Sequence, residues 1–545
     1  MRALFIGLVL TFCLGCQTAP HADYQQLTDR ISAGEEVSVA DLRSQFLLRA
    51  DLPEQLERLA ELEAQALELV EDEPLKLGSI GSAILDTYYA SVTGHYVLTR
   101  FYEHVESPEA AAPHQQWLDK IRSDMSSTGD GSREKPYPTM TAIEAQMYAI
   151  SLNMSPVGSI YQSGDTIAFS LLLQAKPVDR PIINLNFDLS GVYQAERMDL
   201  ADGDDNFTPF SLIGMLAKRN DTAAQAAIGA FLASQGRVAD AIDWLKASSR
   251  RGNLLANSIL ARIYWEQASS AGDEESRDAA LAEVLENYLH AIALGSSDAM
   301  YSLGVLYLNE HYGEENQASG MTLLAQAAAM DHADAAIFLA HIYYAGEGVE
   351  RDLERARNYY IQAAALGNTG ARYSYARFVM DPDTNQPVDP RIIGWLEELS
   401  DTDDATALAL LGNLHARGTA TKASPRRAVS YYKKAVKAQP ENATIVNEIA
   451  WTLTVSDVED IRRERYALSI MDKLMNSDDI ARRRPEYLDT WAAAHAANGD
   501  FARAVSLQEE AIAVAQAEEF EDVRDILETH LQIFIDRQTI TERAP

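Results

Sequence analysis

Along "LAHIYYAGEGVERDLERARNYYIQAAALG", residues 339–367, apolar and polar positions follow a helical period, stop at two glycines, and resume. The pattern predicts two short amphipathic helices joined by a tight turn. Gly346 and Gly348 supply the positive φ that such a turn requires. The pattern recurs at an interval of 36 residues. One step back, "YSLGVLY" places Leu303, Gly304 and Tyr307 where Leu339, Ala340 and Tyr343 stand. One step forward brings Tyr375 and Ala376 into register, and a second brings Leu411, Gly412 and His415. The second halves repeat as well: "ERARNYYIQAA" and "RRAVSYYKKAV" lie 72 residues apart. A fixed period of this length marks a solenoid of helix pairs, in which no pair buries its apolar stripe alone. Gly or Ala at 304, 340, 376 and 412 lets the paired helix approach closely, while Leu303, Leu339, Tyr307 and Tyr343 fill the remaining volume.

At these residues the chain resembles the Sel-one-like repeat (SLR) family, whose unit runs from a Leu-Gly pair and an aromatic through "GxGV" to "A…YY..AA..G". Residues 335–367 carry that pattern, including Val349, Ala356, Tyr359, Ala363, Ala364 and Gly367. The unit from about Asp298 lacks "GxGV", and the one from about Gly370 has "MDPDTNQPVDPR" as its loop. The resemblance covers about 250–440. Related units flank it. "ASQGRVADAIDWLKAS" carries Gly236, Ala241 and Trp244 in a helix-turn-helix pattern. "LDTWAAAHAANGDFARAVSLQEEAI" resembles a tetratricopeptide (TPR) repeat, with Ala492, Gly499, Ala504 and Ala511 at its small positions, and "NEIAWTL" with "RYALSIMDKLM" is a looser copy. A last amphipathic segment, with Val523, Ile526, Leu527, His530, Leu531 and Phe534 on one face, is expected to cap the array.

Residues 20–200 read differently. Amphipathic segments at 52–72, 80–105 and 112–125 are followed by "SSTGDGSREKP", a mixed "AIEAQMYAISLN", and three β-like runs, "VGSIYQSG", "TIAFSLLLQA" and "PIINLNFDLS". These predict a small antiparallel sheet packed on helices. The order of helices, "GDGS", the "EA..Y" element and a closing "FDLS" resembles domain of unknown function 4919 over about 60–195, a resemblance that implies no activity. The expected fold class is therefore mainly α: an α-solenoid of SLR/TPR-like helix-turn-helix repeats preceded by a small α+β domain. The expected divisions are a signal peptide (1–15), a tether and helix (16–60), the α+β domain (61–198), a linker (199–209), SLR-type repeats (210–440), TPR-like repeats (441–516) and a capping helix with its tail (517–545).

Charge and cysteine usage narrow the setting. A formal net charge of −35 argues against nonspecific nucleic-acid binding or docking on anionic lipid, because both need basic surface. The two cysteines, Cys13 and Cys16, both fall in "MRALFIGLVLTFCLGCQTAP", so the body holds no disulfide framework, zinc ribbon or cysteine nucleophile. One Arg and a short apolar run suit a signal peptide rather than a membrane span. Leu14, Gly15 and Cys16 resemble a bacterial lipoprotein signal, with Cys13 where Leu is usual. The resemblance implies a diacylated Cys16 and, with Gln17 rather than Asp following, an outer-membrane anchor facing the periplasm. The alternative is plain secretion to the periplasm.

Candidate chemistry is sparse. Eleven histidines are scattered without HExxH, and no GxSxG or GxxxxGK[ST] occurs. "TGDGS" is expected to be a turn, "DGDDN" (Asp202, Asp204, Asp205) a solvated linker rather than a calcium loop, and the acidic 54–73 stretch the wet face of a helix. No catalytic residue, cofactor, metal or nucleic acid is expected. On the first helix of each pair, the offsets that face a concave wall select Tyr301, Ile337, His341, Tyr344, Tyr373, Arg377, Asn413 and Arg417. Tyr and Arg are residues that interfaces favour, although packing is the alternative role for Tyr301 and Tyr373. The expected function is a periplasmic scaffold for a protein or peptide partner. The competing expectation is an envelope enzyme or a peptidoglycan- or glycan-binding protein, with its site in the N-terminal domain.

Overall fold

The computed structural model describes residues 23–164, 166–200, 207–308, 314–477, 480–517 and 521–543. Cys16, the rest of the leader and the three aspartates of "DGDDN" lie outside the described residues. Contacts divide the chain into two compact units, one running through Ala299 and one from Met300.

The first unit begins with helices Tyr24–Ser32 and Val39–Leu47, whose Leu27, Leu42 and Phe46 are buried. The Phe46 ring packs against both Tyr24 and Tyr88. These residues, assigned to the tether and helix, are thus part of a core. Helix Leu52–Leu69 follows, burying Leu52, Leu56, Leu59, Glu63 and Ala66. That spacing is one helical stripe, and a carboxylate occupies its centre. The amphipathic stretch 80–105 breaks into Leu77–Thr87 and Val92–His104. Ser91 caps the second helix, its hydroxyl accepting from the Gly94 N–H at 3.1 Å. Helices Pro108–Thr128 and Ala142–Ser151 complete this layer.

The sheet has four strands in the order β1-β4-β3-β2. Strands β2 (Met154–Gln162), β3 (Ser170–Pro177) and β4 (Ile183–Asp188) form the expected antiparallel meander. The two-residue β1 (Tyr137–Pro138) was not expected and pairs in parallel with β4. Strand β3 turns Leu171, Leu173 and Ala175 into the core. The "TGDGS" segment is a turn, as expected. Asp130 and Gly131 donate to the Lys135 carbonyl, the Asp130 carboxylate accepts from Ser132, and the Gly131 carbonyl accepts from Asn186 of β4.

Strand β2 leaves an edge that a protein must cover, and the next helices cover it. Asn253, the N-cap of Leu254–Ser270, accepts from the Ser159 N–H at 3.1 Å and donates to the Ser159 carbonyl at 2.7 Å. Tyr161 donates to Asp221, the N-cap of Thr222–Ser234. The helices Pro209–Lys218 to Glu274–Ala293 therefore share a compact unit with the sheet.

The second unit is an array of helix pairs. Ala333–Ala345 pairs with Leu353–Ala365, and Ala405–Arg417 with Pro425–Ala438. Gly346 and Gly418, 72 residues apart, end the first helix of each pair with φ of 77° and 75°. The small positions are buried as the period required: Ala340 and Ala376 are inaccessible. A Cβ on Gly412 would lie 2.4 Å from a Tyr432 ring carbon of the paired helix. Thr369–Met380 and Arg391–Ser400 still form a helix pair despite the altered loop. Ala443–Val455 with Glu464–Ser477, and Pro485–Ala497 with Phe501–Ala517, continue the array. Helix Glu521–Ile535 then buries Leu527, His530 and Phe534, whereas Ile526 is exposed, contrary to its expected place on the packed face. Beyond it the chain returns: Glu542 pairs with Ser456, exchanging backbone bonds with Val455 and Asp457 at 2.7 Å each.

Candidate functional site

The first helices stand side by side. Thr369–Met380 packs on Ala405–Arg417, which packs on Ala443–Val455, which packs on Pro485–Ala497. Beside the apolar core that the repeats share runs a ladder of cap residues with the repeat's own period. His332, Asn368 and Asp404 each begin a first helix. Each accepts from a backbone N–H three residues on, at 3.1, 2.8 and 2.8 Å. Each also contacts the preceding repeat. The Tyr301 ring stacks on His332 at 4.8 Å, Asn368 donates to Asp334 at 2.8 Å, and the Tyr373 hydroxyl donates to Asp404 at 2.6 Å. Every cap thus satisfies an orphan helix donor and staples two repeats.

This ladder decides what the eight residues chosen from the sequence can do. Tyr301 and Tyr373 are half-buried members of it, and Ile337 reaches toward Gly370 at the start of the next first helix. Tyr344 donates to Asp381 of the following repeat at 2.5 Å, and Arg351 lies over its ring. That hydrogen bond, followed by backbone donation from Asp383, holds the Asp381 carboxyl below its usual range. Asn413 accepts from the Tyr432 hydroxyl at 2.8 Å. Arg417 donates to the Met380 carbonyl at the end of the preceding first helix, a favourable place for a cation. Only His341 and Arg377 are exposed among the eight. They lie 36 residues apart, at one register of adjacent helices, with His341 3.4 Å from the Ser374 hydroxyl.

The N-terminal domain holds polar chemistry of another kind. Glu63 and Glu144 are both buried. Thr93 donates to Glu63 at 2.8 Å, and Thr141 also donates to it. Glu144 accepts from the N–H groups of Val92 and Met140 and from Thr139, at 3.1, 2.8 and 3.0 Å. Burial, reinforced by the neighbouring Glu144 charge, pushes the Glu63 carboxyl up to about 8. Burial raises Glu144 too. Glu63 is thereby removed from the solvated face expected of the 54–73 stretch, whose Glu54, Glu57, Glu61 and Glu68 are exposed. Nearby, His95 is enclosed by His114 at 3.2 Å, the Tyr89 carbonyl at 2.9 Å and the stacked Trp117 ring. Burial and the His114 ring drive it down to about 3. No group of three His, Cys, Asp or Glu is placed to hold a metal ion among the described residues.

The second unit is thus an α-solenoid of paired helices with period-36 caps. Four segments, residues 249–273, 297–332, 333–368 and 405–439, match the family model of the Sel1 repeat, so the chain carries Sel1 repeats. The unmatched interval 369–404 is the one with the altered loop. No curated protein matches the chain. Among solved structures, it is similar to a Sel1 repeat protein from Oxalobacter formigenes, at 20% identity, 46% coverage of this chain, 99% of that one and a TM-score of 0.35. It is also similar to c5321, a protective antigen of uropathogenic Escherichia coli with an SLR fold. Here identity is 15%, coverage 93% of this chain and 97% of that one, and the TM-score 0.39.

Proposed function

We propose that this chain is an interaction scaffold of the bacterial cell envelope, holding a protein or peptide partner along its row of first helices. Sel1 repeats generally mediate protein–protein interactions, which supports a protein partner. The observation that carries the reading is the exposure of His341 and Arg377 at one register of adjacent first helices, beside the hydroxyl-anchored rings of Tyr344 and Tyr373. Rings already fixed in place lose little entropy on binding, and side chains free to reach supply adaptable donors. The leader sequence supports a lipid tether at Cys16, with Gln17 favouring the outer membrane and the periplasmic side. No catalysis, cofactor or nucleic acid enters this reading.

The test is crosslinking and affinity capture from envelopes, followed by mass spectrometry, with wild type and the His341→Ala/Arg377→Ala double variant. Among the described residues neither side chain forms an ion pair, so the variant should keep the wild-type melting temperature and lose the captured partner. Retained capture would move the site off this row, and a lowered melting temperature would assign both residues to the fold.

A further inference from the structure

In a chain of net charge −35, the interval from Ala405 to Pro440 contains seven Lys and Arg and no Asp or Glu. Five of the seven sit on helix Pro425–Ala438: Arg426, Arg427, Lys433, Lys434 and Lys437. At 100° per residue they fall within about 120° of arc, opposite the buried stripe of Ala428, Val429, Tyr432, Ala435 and Val436. All five are exposed, and among the described residues none of them forms an ion pair. Aromatic rings flank them, with the Lys433 ammonium 5.3 Å from the Tyr466 centroid and that of Lys434 5.6 Å from Tyr431. Like charges three and four residues apart destabilise a helix, and among the described residues no carboxylate lies within ion-pair distance of Lys433, Lys434 or Lys437.

We infer that the outer face of Pro425–Ala438 is a docking surface for an acidic segment of a partner protein. The cations run along about 17 Å of helix, the 11 steps from Arg426 to Lys437 at about 1.5 Å each. Lys433, Lys434 and Lys437 span about 6 Å of axis, within the ~8 Å Debye length of physiological salt, and act as one field, with Arg426 and Arg427 about 9 Å further toward the helix start. The face is also narrow. Glu397 lies beside Tyr431 at its margin, with the exposed Glu398 and Asp401 on the same preceding repeat. A flat anionic membrane would bring its phosphates against those carboxylates, whereas a single acidic helix or extended strand meets only the cations. This face lies on the second helix of its pair. It is therefore independent of the first-helix row, and the His341→Ala/Arg377→Ala variant leaves it intact.

The experiment uses the full chain and three probes: a labelled peptide of about ten glutamates, vesicles of phosphatidylglycerol and phosphatidylethanolamine, and a single-stranded oligonucleotide. Wild type should bind the peptide, more weakly as salt rises. Lys433→Glu/Lys434→Glu/Lys437→Glu should weaken that binding by about tenfold or more. A charge-matched control elsewhere on the surface, Lys218→Glu/Arg250→Glu/Arg262→Glu, should leave it within about twofold. Equal binding by wild type and the first variant, equal weakening by the control, or binding of vesicles or oligonucleotide without the peptide would each overturn the inference. Should the triple reversal fail to fold, Lys434→Gln/Lys437→Gln carries the same comparison.

Discussion

Single atoms decide the closest approaches in this molecule. Gly412 has no room for a methyl group, because the Tyr432 ring is buried and tied through its hydroxyl to Asn413. Gly412→Ala should therefore cost about 1–3 kcal/mol of stability, as overpacking does. Ala340→Leu should cost a similar amount at its own helix crossing. Denaturant titration measures both, and an unchanged midpoint would displace the assigned register. Glu63 makes a prediction of the opposite kind. Its folded carboxyl titrates near 8 against 4.5 when free, mainly because of burial. Two adjacent buried carboxylates resist ionising together. The stability this protonated group contributes is complete below about 4.5 and is lost as pH rises toward about 8. Glu63→Gln should melt above wild type at about pH 8.5 and flatten that part of the profile. His95 contributes the reverse slope: held neutral near 3, it loses stability as pH falls below 6.5. A Glu63→Gln profile parallel to wild type between about pH 5 and 8 would contradict a Glu63 carboxyl held protonated by burial.

Elements are joined by the cap ladder. Removing the Asp404 carboxylate exposes one helix N-terminus and also strands the Tyr373 hydroxyl. Asp404→Ala should accordingly cost about 0.5–2 kcal/mol for the cap, with a further 0.5–1.5 or so for the lost inter-repeat bond. Tyr373→Phe should cost only the second part. The double variant should fall short of the sum, since the two side chains form one interaction. Full additivity in thermal or denaturant unfolding would show the staple to be without energetic weight. The C-terminal element is held similarly. His530 lies against Asp489 at 2.9 Å. Burial opposes the imidazolium charge, but the carboxylate outweighs it and raises the histidine.

Across the whole molecule, charge is distributed unevenly, and the net value conceals it. A total of −35 argued against nonspecific nucleic-acid binding or docking on anionic lipid, yet one helix of the array carries five exposed cations on one face. The absence of Asp and Glu from 405 to 440 was readable in the sequence. That the five cations share one unpaired face required knowing which side of the helix is buried. The tether belongs to this scale as well. Palmitate labelling should mark the native protein and spare Cys16→Ser, and equal labelling of both, or native protein recovered free in the periplasm, would remove the anchor from the proposal.

The repeat architecture is set by local composition. A period of 36 with small residues at 304, 340, 376 and 412 is enough to specify helix pairs, because such helices bury their stripes only by stacking. Turn chemistry at Gly346 and the three antiparallel strands were readable for the same reason: each depends on neighbours along the chain. Tertiary structure alone decided which polar side chains were already engaged. Tyr344 and Tyr373 carry the composition of a binding face, but their hydroxyls meet Asp381 and Asp404, 37 and 31 residues away. Glu63 looked like a solvated glutamate among many until Thr93, Thr141 and Glu144 closed around it. Hydrophobic period records which face turns inward. It does not record the polar partner waiting there, because that partner arrives from another element.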